Sequence, residues 1–234
     1  MQNNESTNVS RLPAACLSGR QGQAGITLHG LRGFITFEGI EGSGKSTQLK
    51  LLSDYLKAKG LKVLTTEEPG GTKIGLKIRE ILLAPENSMN PLTELLLYNT
   101  SRAQHVREVI YPALMQGAVV ICDRFFDSTV AYQGHGRGMD MAVIKTLNEI
   151  AAPDLKPFVT FLLDMDVEEG LRRNVEARKR DRLELETVEF HKRVQEGYFK
   201  IAKEEPERVR IIDASGSTEE VHKRIIEALE SAWL

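Results

Sequence analysis

Eight residues, Gly39-Ile40-Glu41-Gly42-Ser43-Gly44-Lys45-Ser46, follow one residue after the apolar run Phe34-Ile35-Thr36-Phe37. After them Leu49, Leu52 and Leu56 recur at helical spacing, so this stretch is constrained to strand, tight glycine loop and helix. The spacing fits G-x-x-x-x-G-K-[ST]. Glycines let the backbone curl until successive N–H groups point inward and surround phosphate oxygens. Lys45 adds a mobile cation for β and γ phosphates, and the Ser46 hydroxyl is suited to Mg²⁺. The helix opening near Lys45 turns the positive end of its dipole toward the same anion. A glycine turn that binds nothing needs neither the lysine nor the hydroxyl. The loop therefore predicts a nucleoside triphosphate site.

Downstream, continuous apolar β-rich runs at 62–66, 118–122, 159–163 and 209–212 join the one at 34–37, each of the kind expected for strands covered on both faces. Helical patterns lie between them. One spans 45–59 and is ended by Gly60; another opens at Asn90-Pro91, an N-cap followed by proline at the first helical position, and runs to about Gln116. Further helices are predicted at 166–179, 187–204 and 218–233. Strands alternating with helices imply right-handed βαβ units and a parallel, doubly wound α/β sheet, with nucleotide at the carboxyl ends of the strands.

A length of 234 residues suits one such domain, and its 41% hydrophobic and 27% charged content is that of a globular chain. A net charge of −2 provides no basic field for nucleic acid. Cys16 and Cys122 lack metal-ligand spacing, and Cys122 reads as a small buried residue, which fits reducing, cytoplasmic conditions. No apolar stretch is long enough to span a bilayer. Residues 1–32, rich in Asn, Ser, Gln and Gly, lack the pattern of a signal peptide and are expected to be a disordered extension, or sequence upstream of the true start.

Polar groups cluster where the strands end. Glu67-Glu68-Pro69-Gly70-Gly71 follows the second strand and reads, taken alone, as a Pro-Gly turn. Asp123-Arg124 follows the third: an acid there suits Mg²⁺, and the arginine offers a planar fork to phosphate. After the fourth come Arg172, Arg173, Arg178, Lys179, Arg180 and Arg182, ordinarily a solvated face. The variable positions of the glycine loop contain no basic residue, so a cation for a moving phosphoryl group has to come from elsewhere. A closing arginine segment provides it and expels water.

From about Gly33 onward the chain resembles the bacterial thymidylate kinases. The resemblance is carried by 39–47, by Glu68-Pro69-Gly70-Gly71-Thr72 and by Ser101-Arg102. It continues in Asp123-Arg124 with Asp127-Ser128-Thr129, then Ala131-Tyr132-Gln133-Gly134 and Asp181-Arg182-Leu183-Glu184. It implies a P-loop kinase fold, a five-stranded parallel sheet with helices on both faces and a short arginine-rich lid at about 172–184. It also implies transfer of the ATP γ-phosphoryl group to dTMP in a cytoplasmic homodimer that binds neither nucleic acid nor membrane.

Residue by residue, the resemblance assigns Gly39, Ile40, Glu41, Gly42, Ser43, Gly44, Lys45, Ser46 and Thr47 to the donor phosphates. Ser46 and Asp123 fall to the metal. Lys45, Asp123, Arg124 and the lid arginines Arg178 and Arg182 fall to catalysis. Glu41 lies near the acceptor sugar 3′-hydroxyl, Pro69 and Gly70 shape the acceptor pocket, and Arg79 reaches the acceptor phosphate. Tyr98 stacks on the base or, on the simpler reading, is a core aromatic. Arg102 hydrogen-bonds the base, with Thr129 and Gln133 completing its recognition. Asp213-Ala214-Ser215 resembles a loop bordering adenine, whereas Phe125 stands where the family commonly has Tyr or His. The alternatives are a kinase for another nucleoside monophosphate or a deoxynucleoside, and a P-loop switch ATPase. No Asn-Lys-x-Asp guanine motif supports the last.

Overall fold

The computed structural model describes residues 33–176 and 181–233. The 1–32 segment and the lid residue Arg178 lie outside the described residues. Five strands, β1 (Phe34–Glu38), β2 (Val63–Glu67), β3 (Val119–Asp123), β4 (Val159–Asp164) and β5 (Val209–Asp213), form one parallel sheet in the order β2-β3-β1-β4-β5. The helices are α1 (Lys45–Ala58), α2 (Lys73–Leu83), α3 (Pro91–His105), α4 (Tyr111–Met115), α5 (Phe126–Thr129), α6 (Met141–Ala151), α7 (Val167–Glu176), α8 (Val188–Glu204) and α9 (Thr218–Trp233). Chain connections leave β1 in opposite directions, toward β3 and β2 on one side and β4 and β5 on the other. The crevice that binds ligands in such a sheet therefore opens at the carboxyl end of β1.

The core explains why the strands read as unbroken apolar runs. Ile35, Phe37, Ile121, Phe161 and Leu163 meet Leu52 and Leu56 of α1 and Val221, Ile225 and Leu229 of α9 on one face. Phe34, Val120 and Cys122 meet Val106, Ile110 and Leu155 on the other. Both faces are dry. Full burial of residues such as Leu52 and Leu56 stabilises by about 1.5–3 kcal/mol each, enough to seat α1 behind the loop.

Each strand runs one residue further than its apolar run, and the added residue is an acid every time: Glu38, Glu67, Asp123, Asp164 and Asp213. The carboxyl edge thus has a row of carboxylates that the site's cations must answer.

The helix expected to run from Pro91 to about Gln116 opens instead into a π turn over Val106–Ile110 before α4. Pro112 has no N–H for the carbonyl four residues back, and its ring would strike that carbonyl. The turn widens, and the Tyr111 N–H reaches back to the Val106 carbonyl. The predicted start is as expected: Asn90 Oδ1 accepts from the Leu92 N–H at 2.9 Å. Absent from the helices predicted by pattern were α2, α6 and the helical stretch from Phe126 through a π segment at Val130–Gly136. Gly134 and Gly136 are poor helix formers, and packing against α8 holds this stretch: a Cβ on Gly136 would lie 2.7 Å from the Phe190 ring.

Candidate active site

The loop after β1 wraps the amino end of α1. Gly42 takes φ +74°, a conformation that costs other residues, and the loop here lies directly on α7: a Cβ on Gly42 would be 2.0 Å from the Gly170 carbonyl oxygen. Lys45, only 7% exposed, sends its ammonium to the Ile40 carbonyl at 2.6 Å and the Gly39 carbonyl at 3.1 Å. Burial, aided by the Arg124 charge, brings its pKa down to about 8, against Asp123, Glu41 and Glu38. Gly44 provides no side-chain cap, so the first N–H groups of α1 remain available to an anion.

At the end of β3, the Asp123 Oδ2 accepts from the Ser46 hydroxyl at 2.8 Å. Arg124 takes φ +67°, unusual for a residue with a side chain. Its guanidinium is fixed from three directions. Nη2 donates to Glu41 Oε1 at 2.9 Å, and Nη1 donates to the Gly39 carbonyl at 3.0 Å and the Tyr198 hydroxyl at 3.2 Å. The Tyr132 ring lies beneath it, 5.1 Å from centroid to guanidinium carbon, and the Tyr132 hydroxyl donates to the same Glu41 oxygen at 2.5 Å. Burial would raise the Glu41 carboxyl, but Arg124 and the neighbouring His191 and Lys45 outweigh it and hold the group well below the usual carboxylate range. Glu41 is an anion here.

Below this layer Glu38 is fully buried. It accepts from the Phe125 N–H at 2.8 Å, the Ser128 hydroxyl at 2.6 Å and the Tyr198 hydroxyl at 2.8 Å. It thereby holds the loop that presents Arg124. Phe125 has turned into the core, edge-on to Phe34 at 4.9 Å.

The other wall of the cleft comes from β2, α2, α3 and the 126–136 stretch. The Glu68–Pro69 peptide is cis, and the Pro69 carbonyl accepts from Arg79 Nη1 at 2.8 Å, with Glu67 3.3 Å from the same nitrogen. Arg102, 1% exposed, donates through Nε to Glu68 at 2.8 Å and through Nη1 to Asn148 at 2.9 Å. Glu68 is braced in turn by His105, 3.0 Å away. Burial, then the nearby Glu94 charge, lifts the Tyr98 phenol, so Tyr98 is a neutral surface. The buried Thr129 hydroxyl has no hydrogen-bond partner among the described residues. Gln133 donates to Glu94 at 2.8 Å.

Together these walls enclose a cleft of about 660 Å³. Of the residues singled out from the sequence, Glu41, Gly42, Gly44, Lys45, Ser46, Thr47, Pro69, Arg79, Tyr98, Arg102, Asp123, Arg124, Thr129 and Gln133 line it. Gly39, Ile40 and Ser43 form the loop behind it, with the Ser43 hydroxyl donating to the Ile40 carbonyl at 2.8 Å. Arg182 is not brought in. Its Nη1 is 2.6 Å from Glu94 and its Nε donates to the Leu82 carbonyl at 2.9 Å. Arg173, read from sequence only as one of a basic cluster, is the lid arginine that lines the cleft among the described residues, with its Nε on Glu169 at 2.8 Å. The 213–215 loop is folded on itself and on Arg224 and is not among the residues that line this cleft.

A phosphate loop with its lysine, a hydroxyl–carboxylate pair beside it, and an arginine shared with a second polar pocket define a P-loop kinase of the nucleotide-phosphorylating class. Residues 37–225 match the family model described as thymidylate kinase. The chain is 52% identical over 200 residues to a thymidylate kinase of Pelobacter propionicus, covering 82% of this chain and 91% of that one. Against a thymidylate kinase of Caldanaerobacter subterraneus subsp. tengcongensis it is 50% identical over 197 residues, covering 84% and 94%. The crystal structure of thymidylate kinase from Ehrlichia chaffeensis superimposes with a TM-score of 0.69 at 39% identity, covering 84% of this chain and 97% of that one. The chain belongs to the thymidylate kinase family.

Proposed function

We propose that this chain transfers the γ-phosphoryl group of ATP directly and in line to dTMP, giving dTDP for dTTP synthesis. The observation that carries the reading is the continuity of the cleft: Arg124 and Glu41 join the phosphate loop to a base-sized pocket of Tyr98, Arg102, Thr129 and Gln133.

The acceptor phosphate is already an anion at neutral pH, with a second pKa of about 6, so no strong general base is required. Alignment and charge compensation carry the reaction. Lys45 follows the donor phosphates, Arg124 bridges donor and acceptor, and Arg79 reaches the acceptor phosphate. Glu41, kept ionised by Arg124, faces the acceptor sugar. The lid, Arg178 among its arginines, closes over the transferred group, excluding water, and the position of Arg182 makes it the anchor of that lid in the present arrangement. Ser46 and Asp123 are all-oxygen donors 2.8 Å apart, a set that fits Mg²⁺, a hard cation that completes its shell from water and phosphate oxygens. When bound, the ion neutralises charge on the donor phosphates.

Among the described residues no helix is long and apolar enough to cross a membrane, and a cytoplasmic location fits the reduced Cys122. Exposed Ile74, Leu92, Leu96, Val143 and Ile150 on α2, α3 and α6 support a homodimer. The test is a coupled assay offering dTMP, dUMP, CMP, GMP and AMP with MgATP: dTMP should be strongly preferred, and preference for another monophosphate, or hydrolysis without transfer, overturns the reading.

A further inference from the structure

Glu94 is 1% exposed and was not singled out from the sequence, yet three elements meet on its carboxylate. Oε1 accepts from Gln133 Nε2 at 2.8 Å and from Arg137 Nε at 3.3 Å. Oε2 accepts from Arg137 Nη2 at 3.1 Å and pairs with Arg182 Nη1 at 2.6 Å. Arg137 also pairs with Glu186 at 2.6 Å, so two carboxylates and two guanidiniums balance. Burial opposes the charge on Glu94, but hydrogen bonds from Arg137 and Gln133, with the Arg182 charge, hold its carboxyl below the ordinary range.

An ionised carboxylate only accepts hydrogen bonds, so the Gln133 amide has one permitted orientation, with its NH₂ toward Glu94. Its carbonyl oxygen is then the free end, and it takes no hydrogen bond from the described residues. Gln133 lines the cleft.

We propose that Glu94 is a specificity-positioning residue: by claiming the Gln133 NH₂ it leaves an oxygen facing the acceptor base, which selects a pyrimidine with a ring N–H, thymine or uracil, over cytosine, whose ring nitrogen there is itself an acceptor. This rests on the reading above that Gln133 meets the base. An unpaired acceptor–acceptor contact in a dry pocket is costly, which is how hydrogen-bonding sites reject near-isosteres.

Glu94→Gln turns the argument into a reversal. Arg182 Nη1 at 2.6 Å and Arg137 Nη2 at 3.1 Å both require an acceptor on the Oε2 side and outweigh the longer 3.3 Å contact of Arg137 Nε on Oε1, so the new amide must place its oxygen toward them and its NH₂ toward Gln133. Gln133 then flips and presents its own NH₂ to the base. Steady-state kinetics with dTMP and dCMP on the full chain should show the dTMP:dCMP ratio of kcat/KM falling by about ten- to a hundredfold, carried by a loss on dTMP. Equal losses on both acceptors mean that Glu94 is only structural and overturn the proposal. Gln133→Met separates the two readings. If it leaves the ratio unchanged, Gln133 does not meet the base; if it collapses the ratio while Glu94→Gln does not, the positioning role of Glu94 is wrong. Should Glu94→Gln melt out, ¹⁵N spectra of the wild-type chain decide: the Gln133 side-chain NH₂ should be protected from exchange with and without dTMP, and rapid exchange overturns the proposal.

Discussion

Gly170 gives the sharpest test of how the phosphate loop and the lid helix are joined. It lies in α7 and accepts no strain of its own, since its N–H donates to the Asp166 carbonyl at 2.9 Å as in any helix. In an isolated helix Gly170→Ala stabilises by about 1 kcal/mol. Here a Cβ would be 2.5 Å from the Glu41 carbonyl oxygen and 3.2 Å from Ile40 Cδ1. To reach ordinary contact, α7 and the loop must part by about 0.9 Å. Overpacking of this kind costs about 1–3 kcal/mol, so the clash outweighs the helical gain by roughly 1 kcal/mol. For a domain of this size that is a Tm lower by about 3 °C. The larger effect falls on activity, because the displaced atoms belong to the residue that holds Arg124. A misplacement near 1 Å can cost about a hundredfold, and kcat/KM for ATP should fall by between ten- and a hundredfold. Melting curves and initial rates on the same preparation decide the matter. A raised Tm with kcat/KM within twofold of wild type would mean that helix propensity wins and that the glycine contact is not what sets the loop.

Lys45→Ala should lower kcat by roughly 10²–10³ while the melting temperature changes little, because the buried ammonium bonds only to carbonyls and a hydroxyl of its own loop; near-normal turnover sinks the charge-compensation mechanism. Burial, reinforced by Asp127, raises Glu38 from 4.5 to about 7 against Arg124 and its own hydrogen bonds. The folded chain therefore binds the extra proton between those values, and stability falls as pH rises through that window. Compared with Glu38→Gln, the wild type should gain about 2 kcal/mol on going from pH 7.5 to 5, read from denaturant midpoints; a difference independent of pH refutes it.

The parts legible in the sequence are those whose chemistry is local. Continuous apolar runs marked all five strands, most strongly β1, β3 and β4, which are buried on both faces, while the edge strands β2 and β5 keep the run though partly exposed; the glycine loop declared itself because phosphate binding needs its residue types at fixed spacing. What escaped depends on contacts between distant segments. Asp127 was quoted as part of a motif, yet it forms a buried two-pronged ion pair with Arg208, at 2.6 and 2.8 Å, and braces the sheet rather than the substrate. Glu38 went unremarked between the first apolar run and the glycine loop, and Glu94 within a predicted helix, since no pattern shows that Ser128 and Tyr198, or Gln133, Arg137 and Arg182, will converge on them. Arg182 carries the same lesson in reverse. Its charge was legible, but whether a charge faces the cleft or anchors the wall behind it is decided by the carboxylate it meets, and Glu94 lies 88 residues earlier in the chain. A P-loop kinase of this kind displays its phosphate-binding half in its sequence, whereas its acceptor half is built by buried acids that orient other side chains. Substitutions at those acids should therefore alter which acceptor is used before they alter whether ATP is bound.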